Sequence, residues 1–166
     1  MSMAVVVGNP KPASRTFNAA VRIATRLYGR SPEVVVDLVD LGAALISVED
    51  EALVDAVNAV RAADAMVVAS PTYKASFTGI LKIFLDRFPS GALAGKIALP
   101  VTLGGAWQHA LAPEVFLKPV LVESGAQCPV RGLYLLDSDY EDPPGLDAWI
   151  ASARRYVSWN SPSPRG

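Results

Sequence analysis

Residues 65–88 read AMVVASPTYKASFTGILKIFLDRF. Ala65–Ala69 is a short apolar run that stops at Ser70-Pro71-Thr72-Tyr73-Lys74, after which Phe77, Ile80, Leu81, Phe84 and Phe88 recur at helical spacing. A short run without polar alternation suits a parallel strand covered on both faces. The stretch therefore reads as a strand, a polar loop with one aromatic, and a helix from about Thr78 to Phe88. In an α/β sheet, the loop leaving a strand's carboxyl end is where ligands sit.

The alternation continues in both directions. Met3–Gly8 (MAVVVG) predicts a first strand, and Phe17, Ala20, Val21, Ala24, Leu27 and Tyr28 predict a helix over Arg15–Arg30. Glu33–Asp37 predicts the second strand, with Leu53, Val57 and Val60 marking a helix that starts near Val48-Glu49-Asp50. Ile97–Leu103 and Cys128–Leu136 predict strands four and five. A helical stretch around Leu111–Ser124 lies between them, and Leu146, Trp149, Ile150, Ala153 and Val157 form a last helix. Five such units with right-handed crossovers make an α/β three-layer sandwich. The flavodoxin-like order 2-1-3-4-5 in a five-stranded parallel sheet suits this length better than the six-stranded dinucleotide-binding order. Pro100 inside strand four calls for a bulge or a later start, since proline cannot donate to a ladder. The expected domain is residues 1–159, followed by a frayed, proline-rich tail over 160–166.

Composition narrows the classes. The chain has 166 residues, a formal net charge of −1, one cysteine and one histidine. A near-neutral balance gives no field that would gather nucleic acid. One Cys and one His fall short of the roughly four ligands of a structural zinc site, and one Cys forms no internal disulfide. No basic leader precedes the first apolar run and no run approaches the roughly 18 residues of a spanning helix, so a cytoplasmic protein without membrane contact is expected.

Three loops at the carboxyl edge carry the chemistry. The first, Gly8-Asn9-Pro10-Lys11-Pro12-Ala13-Ser14-Arg15-Thr16, places hydroxyls and two cations at a helix N-terminus, a setting that suits a phosphate. Ser14 is equally suited to a plain N-cap. The loop lacks GxGxxG, and Gly91–Lys96 resembles a P-loop only superficially because it precedes a strand instead of following one. In the second loop, Pro71, Thr72, Tyr73 and Lys74 offer amides and a ring to a planar heterocycle, or a packed aromatic on a turn. In the third, Thr102-Leu103-Gly104-Gly105 allows close backbone approach, or is simply a turn.

Together, SPTYKASFTGILKIFLDRF, GNPKPASRT and LGGAWQHALAPEVFLKPVL resemble the NADPH-dependent FMN reductase family, over about Val5 to Gly125. The likeness is strongest to the flavin reductases that supply two-component monooxygenases such as alkanesulfonate systems. That resemblance implies FMN at the carboxyl edge, with Ser14, Arg15 and Thr16 on its phosphate and Asn9 and Lys11 nearby. It places Pro71, Thr72, Tyr73 and Lys74 along the isoalloxazine, and Thr102, Gly104 and Gly105 at its pyrimidine side. It also implies NADPH or NADH as reductant, a possible partner monooxygenase, and a homodimer or homotetramer built on helices such as the third. Ala75-Ser76-Phe77-Thr78 resembles family members without an aromatic insertion in that helix.

The expected chemistry is hydride transfer from a nicotinamide to N5 of FMN, and no acid–base dyad is needed for it. Two alternatives stay open: a quinone- or azo-type reductase with tightly held FMN, and a non-catalytic flavin-binding or electron-transfer protein. His109, just past the Gly-Gly loop, is either a proton donor or a structural residue. Cys128 reads as inert core, and Asp86 and Arg87 as a solvated face or a contact between subunits. The wide apolar face of helix three reads as more than sheet packing requires, leaving surface for another subunit.

Overall fold

The structure is a computed structural model that describes residues 1–47 and 49–159. Val48 and the tail over 160–166 lie outside the described residues. Five parallel strands form one sheet in the order β2-β1-β3-β4-β5: β1 Met3–Val7, β2 Val34–Asp37, β3 Ala65–Pro71, β4 Ile97–Gly104 and β5 Leu133–Leu136. The helices are α1 Arg15–Tyr28, α2 Glu51–Ala62, α3 Gly79–Leu85, α4 Lys118–Glu123 and α5 Leu146–Trp159. This is the flavodoxin-like sandwich that the periodicities predict.

β1 and β3 are buried along their whole length, so alternate side chains enter two separate cores. Met3, Val5 and Val7 join the cluster that includes Ala20, Ile23, Leu27, Ile150 and Val157. Ala4 and Val6 join the opposite cluster with Leu53, Val57, Leu81, Phe84 and Leu121. In α1 the inward line is Ala20, Ala24 and Leu27, joined by Ala19 and Ile23, while Phe17, Val21 and Tyr28 only flank it. Gly29 caps this helix in the left-handed region (φ 79°), which a Cβ would disfavour.

Several expectations need correction. Pro100 produces neither a bulge nor a late start: it pairs with Val68 inside an unbroken β4. Ala98 N–H donates to the Gln127 carbonyl and Asp137 N–H to the Gly104 carbonyl, so even positions of β4 bond toward the β5 side. Pro100 turns its missing donor that way, one residue before the β4–β5 ladder opens at Val101. On that side the Arg131 carbonyl accepts the Trp149 indole N–H at 2.8 Å instead. β5 covers only Leu133–Leu136, not Cys128–Leu136, because Pro129 and Gly132 interrupt the earlier half. Cys128 is accordingly half-buried in a connecting segment, packed against the second core, with burial pushing its thiol up to about 11.

After β2 the chain turns through a 3₁₀ segment over Leu38–Ile46, which the sequence reading left unassigned. α3 ends at Leu85, four residues before Pro89, which disfavours helical geometry at Phe88. Leu111–Ser124 is not one α-helix. A 3₁₀ turn at Trp107–His109 and a π turn at Pro113–Leu117 precede α4. The Lys118 N–H reaches back to the Pro113 carbonyl, an i→i+5 bond. Pro119 follows directly, and its ring would clash with the carbonyl four residues earlier in a regular helix, so the wider turn makes room for it. The irregular helical turn thus lies ahead of α4 and not in α3.

The apolar face of α3 is spent inside the subunit. Leu81 and Phe84 are fully buried, Leu85 and Phe88 nearly so, and the two phenylalanine rings meet edge to face at 5.4 Å. Asp86 pairs with Lys82 one turn earlier, and Arg87 donates to the Leu45 carbonyl at 3.0 Å. Arg87 is thus spent inside the subunit, whereas Asp86 stays exposed beside Lys82. Exposed apolar residues lie elsewhere, with Leu111, Val115, Phe116 and Val122 among them.

Candidate functional site

The carboxyl ends of β1 and β3 are joined by a buried bridge of hydroxyls. Thr78 donates its Oγ1 hydrogen to the Gly8 carbonyl at 2.5 Å, and the Thr78 N–H donates to Ser70 Oγ at 3.0 Å. Ser70 passes its own hydrogen to the Pro71 carbonyl at 2.9 Å. Thr78 also caps α3 at Leu81. Ser70, Thr78 and Gly8 therefore hold the first two loops at a fixed separation, a role the sequence reading assigned to none of them.

The first loop is formed by its own bonds. Asn9 is buried; its Oδ1 accepts from the Lys11 N–H at 3.0 Å and its amide donates to Thr16 Oγ1 at 3.1 Å. Ser14 Oγ accepts from the Phe17 N–H, so the N-cap role is real. Thr16 is buried, and because its oxygen accepts from Asn9 its hydrogen stays available. Lys11 and Arg15 are exposed.

Among the described residues, the non-glycine positions with left-handed φ are Ala13 (47°), Lys74 (52°) and Ala75 (67°), all in these two loops. Lys74 and Ala75 occupy the centre of a turn closed by Tyr73 N–H to the Ser76 carbonyl and Ser76 N–H to the Tyr73 carbonyl. Left-handed φ at both central residues is the type I′ pattern, which favours Asn and Gly. An ordinary side chain there costs roughly 1–2 kcal/mol. Such strain gathers where a loop must hold one shape for a ligand.

The two loops border one cleft of about 450 Å³. Its lining brings together Asn9, Lys11, Ser14, Arg15, Thr16, Pro71 and Tyr73, with Asp137 added from the end of β5. A second cleft, of about 860 Å³, shares Arg15 and Asp137 with the first and includes Gly105 and the segment Ser138–Asp142. Asp137 was not foreseen; its only signal was its place directly after a strand. Lys74 is exposed at the tip of the strained turn, while Thr72 is half-buried at the strand end.

In the third loop, Gly104 has a structural reason to be glycine. A Cβ on Gly104 would lie 2.3 Å from Tyr134 Oη and 3.2 Å from Thr72 Cβ, so the missing side chain makes room for Tyr134. Gly105 faces open space. Tyr134 donates its hydroxyl to the Ala106 carbonyl at 2.7 Å and packs its ring against Trp107, whose indole is exposed at the rim. Thr102 is fully buried beneath this edge. The hydroxyl oxygens of Thr72 and Thr102 have no hydrogen-bond partner. Unpartnered hydroxyls at this edge, with Lys11 and Arg15 on the cleft, fit a polar planar ligand with an anionic end, as FMN is. His109 closes the 3₁₀ turn beside Gln108, away from both clefts.

The fold and this loop cluster define a flavodoxin-like protein with an open cleft at the carboxyl edge of its sheet. Residues 1–141 match the family model of the NADPH-dependent FMN reductases, and the chain belongs to that family. It is 32% identical over 136 residues to the NADH-dependent FMN reductase SfnF of Pseudomonas fluorescens strain Pf0-1, covering 78% of this chain and 73% of that protein. A stretch of 79 residues is 48% identical to an FMN reductase (NADPH) of Pseudomonas putida strain KT2440; it is 48% of this chain and spans 40% of that relative's length. Among solved structures, the apo form of the NADH:FMN oxidoreductase EMOB superposes with a TM-score of 0.86 at 33% identity, covering 98% of this chain and 91% of that one.

Proposed function

We propose that residues 1–159 form one FMN-binding unit that catalyses reduction of FMN by NADPH or NADH. The observation that carries the reading is the single cleft in which Ser14, Arg15 and Thr16 meet Pro71 and Tyr73. Ser14, Arg15 and Thr16 hold the phosphate at the α1 N-terminus, with Asn9 shaping the loop and Lys11 adding positive charge. Pro71, Thr72, Tyr73 and Lys74 flank the ring system, and Thr102, Gly104 and Gly105 border its polar edge. In this arrangement the orphaned hydroxyl of Thr72 is a donor or acceptor awaiting that edge.

Bound FMN supplies the hydride acceptor, and the protein supplies position, electrostatics and access. The exposed Tyr73 and Trp107 leave the cleft open on one side, where a nicotinamide can stack and from which reduced flavin can leave for a partner monooxygenase. Dependence on a free nicotinamide reductant supports a cytoplasmic location. Mixing the protein with FMN and either NADPH or NADH should consume the nicotinamide, read as loss of its absorbance. No consumption with either reductant would end this reading.

The same proposal includes a homodimer or homotetramer, supported by a different surface from the one the sequence suggested. Leu111, Val115, Phe116 and Val122 are exposed along the π turn and α4. A groove of about 430 Å³ also opens between α3 and α4, lined by Pro119 and Val120 and bordered by Lys82, Asp86 and Glu123. Opposite charges at the rim of an apolar strip suit a two-fold contact with itself. Phe116→Glu together with Val122→Glu should reduce the mass measured by light scattering to that of one chain; an unchanged mass would refute the contact.

A further inference from the structure

Beyond Gly104 the third loop leaves the backbone ladder of the sheet. The Leu103 carbonyl still accepts from the Thr72 N–H at 2.6 Å, and the Gly104 carbonyl from the Asp137 N–H at 3.0 Å. The Ala106 carbonyl, two residues on, opens the 3₁₀ turn Trp107–His109, and its bond from the His109 N–H is long, at 3.3 Å. That same carbonyl accepts the Tyr134 hydroxyl at 2.7 Å. Tyr134 stands on β5 in register with Thr102, two residues below Gly104, and is only 7% exposed. Its side chain therefore runs up the sheet, from a paired strand to a loop outside the ladder.

Packing alone gives no reason for this combination. A phenylalanine would supply the ring, without the hydroxyl oxygen that would lie 2.3 Å from a Cβ at position 104. Glycine in a strand is also less stable than alanine. What the hydroxyl adds is its bond to Ala106. The ring meets Trp107 with 5.8 Å between centroids, so one side chain holds both the carbonyl of the Ala106–Trp107 peptide and the indole that follows it. Gly105, just before that peptide, faces open space on the larger cleft. We propose that Tyr134 is the positioning residue of the third loop, its bond to Ala106 and its contact with Trp107 holding Gly105 in place as a preformed wall for the flavin's ring system. This rests on the reading that puts Thr102, Gly104 and Gly105 at the ring's polar edge. A wall ordered before the ligand arrives loses less conformational entropy on capture than one that must settle onto it.

The test uses Tyr134→Phe, which removes the hydroxyl and keeps the ring. Fluorescence titration of the full chain and the variant should show FMN and riboflavin each bound about fivefold more weakly, the two losses agreeing within about twofold, because the wall borders the ring and not the phosphate. In the ligand-free variant, backbone hydrogen exchange should quicken at His109 and Ala110, whose N–H groups close the turn, and stay at the parent's rate in β4 and β5. Unchanged riboflavin affinity would overturn the inference whether or not FMN weakens, and so would unchanged exchange at the turn. Exchange quickened through β4 and β5 as well would assign the hydroxyl to the fold at large and overturn it too. A parent chain that binds neither flavin would instead overturn the proposed function, and this inference with it.

Discussion

Gly8→Ala should destabilise the protein by about 3 kcal/mol or more, at the upper end of overpacking effects. The added Cβ would stand 2.5 Å from Leu81 Cβ and 3.1 Å from Thr78 Oγ1. Leu81 is fully buried, and its Cβ is fixed by the helix backbone, so no rotamer change relieves the contact. Displacing α3 would break the Thr78 hydroxyl bond to the Gly8 carbonyl and its cap on Leu81 together. A protein of this size loses roughly 2–4 °C of melting temperature per kcal/mol, so a fall of about 10 °C is expected. A melting curve superimposable on the parent's would show that the strand–helix junction is looser than described.

The second large effect is on flavin affinity. Replacing Ser14 and Arg15 together by Ala should weaken FMN binding on the order of 100-fold, the loss expected when a charge-assisted bond and a hydroxyl contact to phosphate disappear. Riboflavin should bind both proteins alike. Ser14→Ala also removes the cap on Phe17, which costs about 1 kcal/mol of stability, so melting must be followed in parallel. Arg15→Ala alone leaves that cap intact, and its own FMN-selective loss should be at least about tenfold. If both flavins weaken equally in the single variant, the phosphate lies elsewhere.

The architecture was legible because its signals are periodic and local. A strand buried on two faces is a short β-branched run, and helices facing the sheet repeat at 3.6 residues, so β1, β3, α1 and α5 emerge from composition alone. That the first two loops would meet was legible from the strand order, since β1 and β3 are neighbours and both loops leave the same edge. What escaped depends on distant parts of the chain meeting. Nothing near Tyr134 indicates that its hydroxyl fills the space above Gly104, so that glycine was credited to the ligand. The apolar face of α3 looked like surplus because the sequence does not show how much of it Leu93, Leu117 and Leu121 cover. Pro100 looked like an interruption because the direction of its missing N–H depends on sheet register.

The first loop, already closed by Asn9, Ser14 and Thr16 before any ligand arrives, bears on the kinetics of exchange. A site that needs no folding step loses little conformational entropy on capture, and encounter proceeds at an ordinary association rate. Differences in affinity among variants then appear mainly as differences in residence time. Where FMN is exchanged as the proposed function has it, the residence time in this cradle sets an upper limit on turnover.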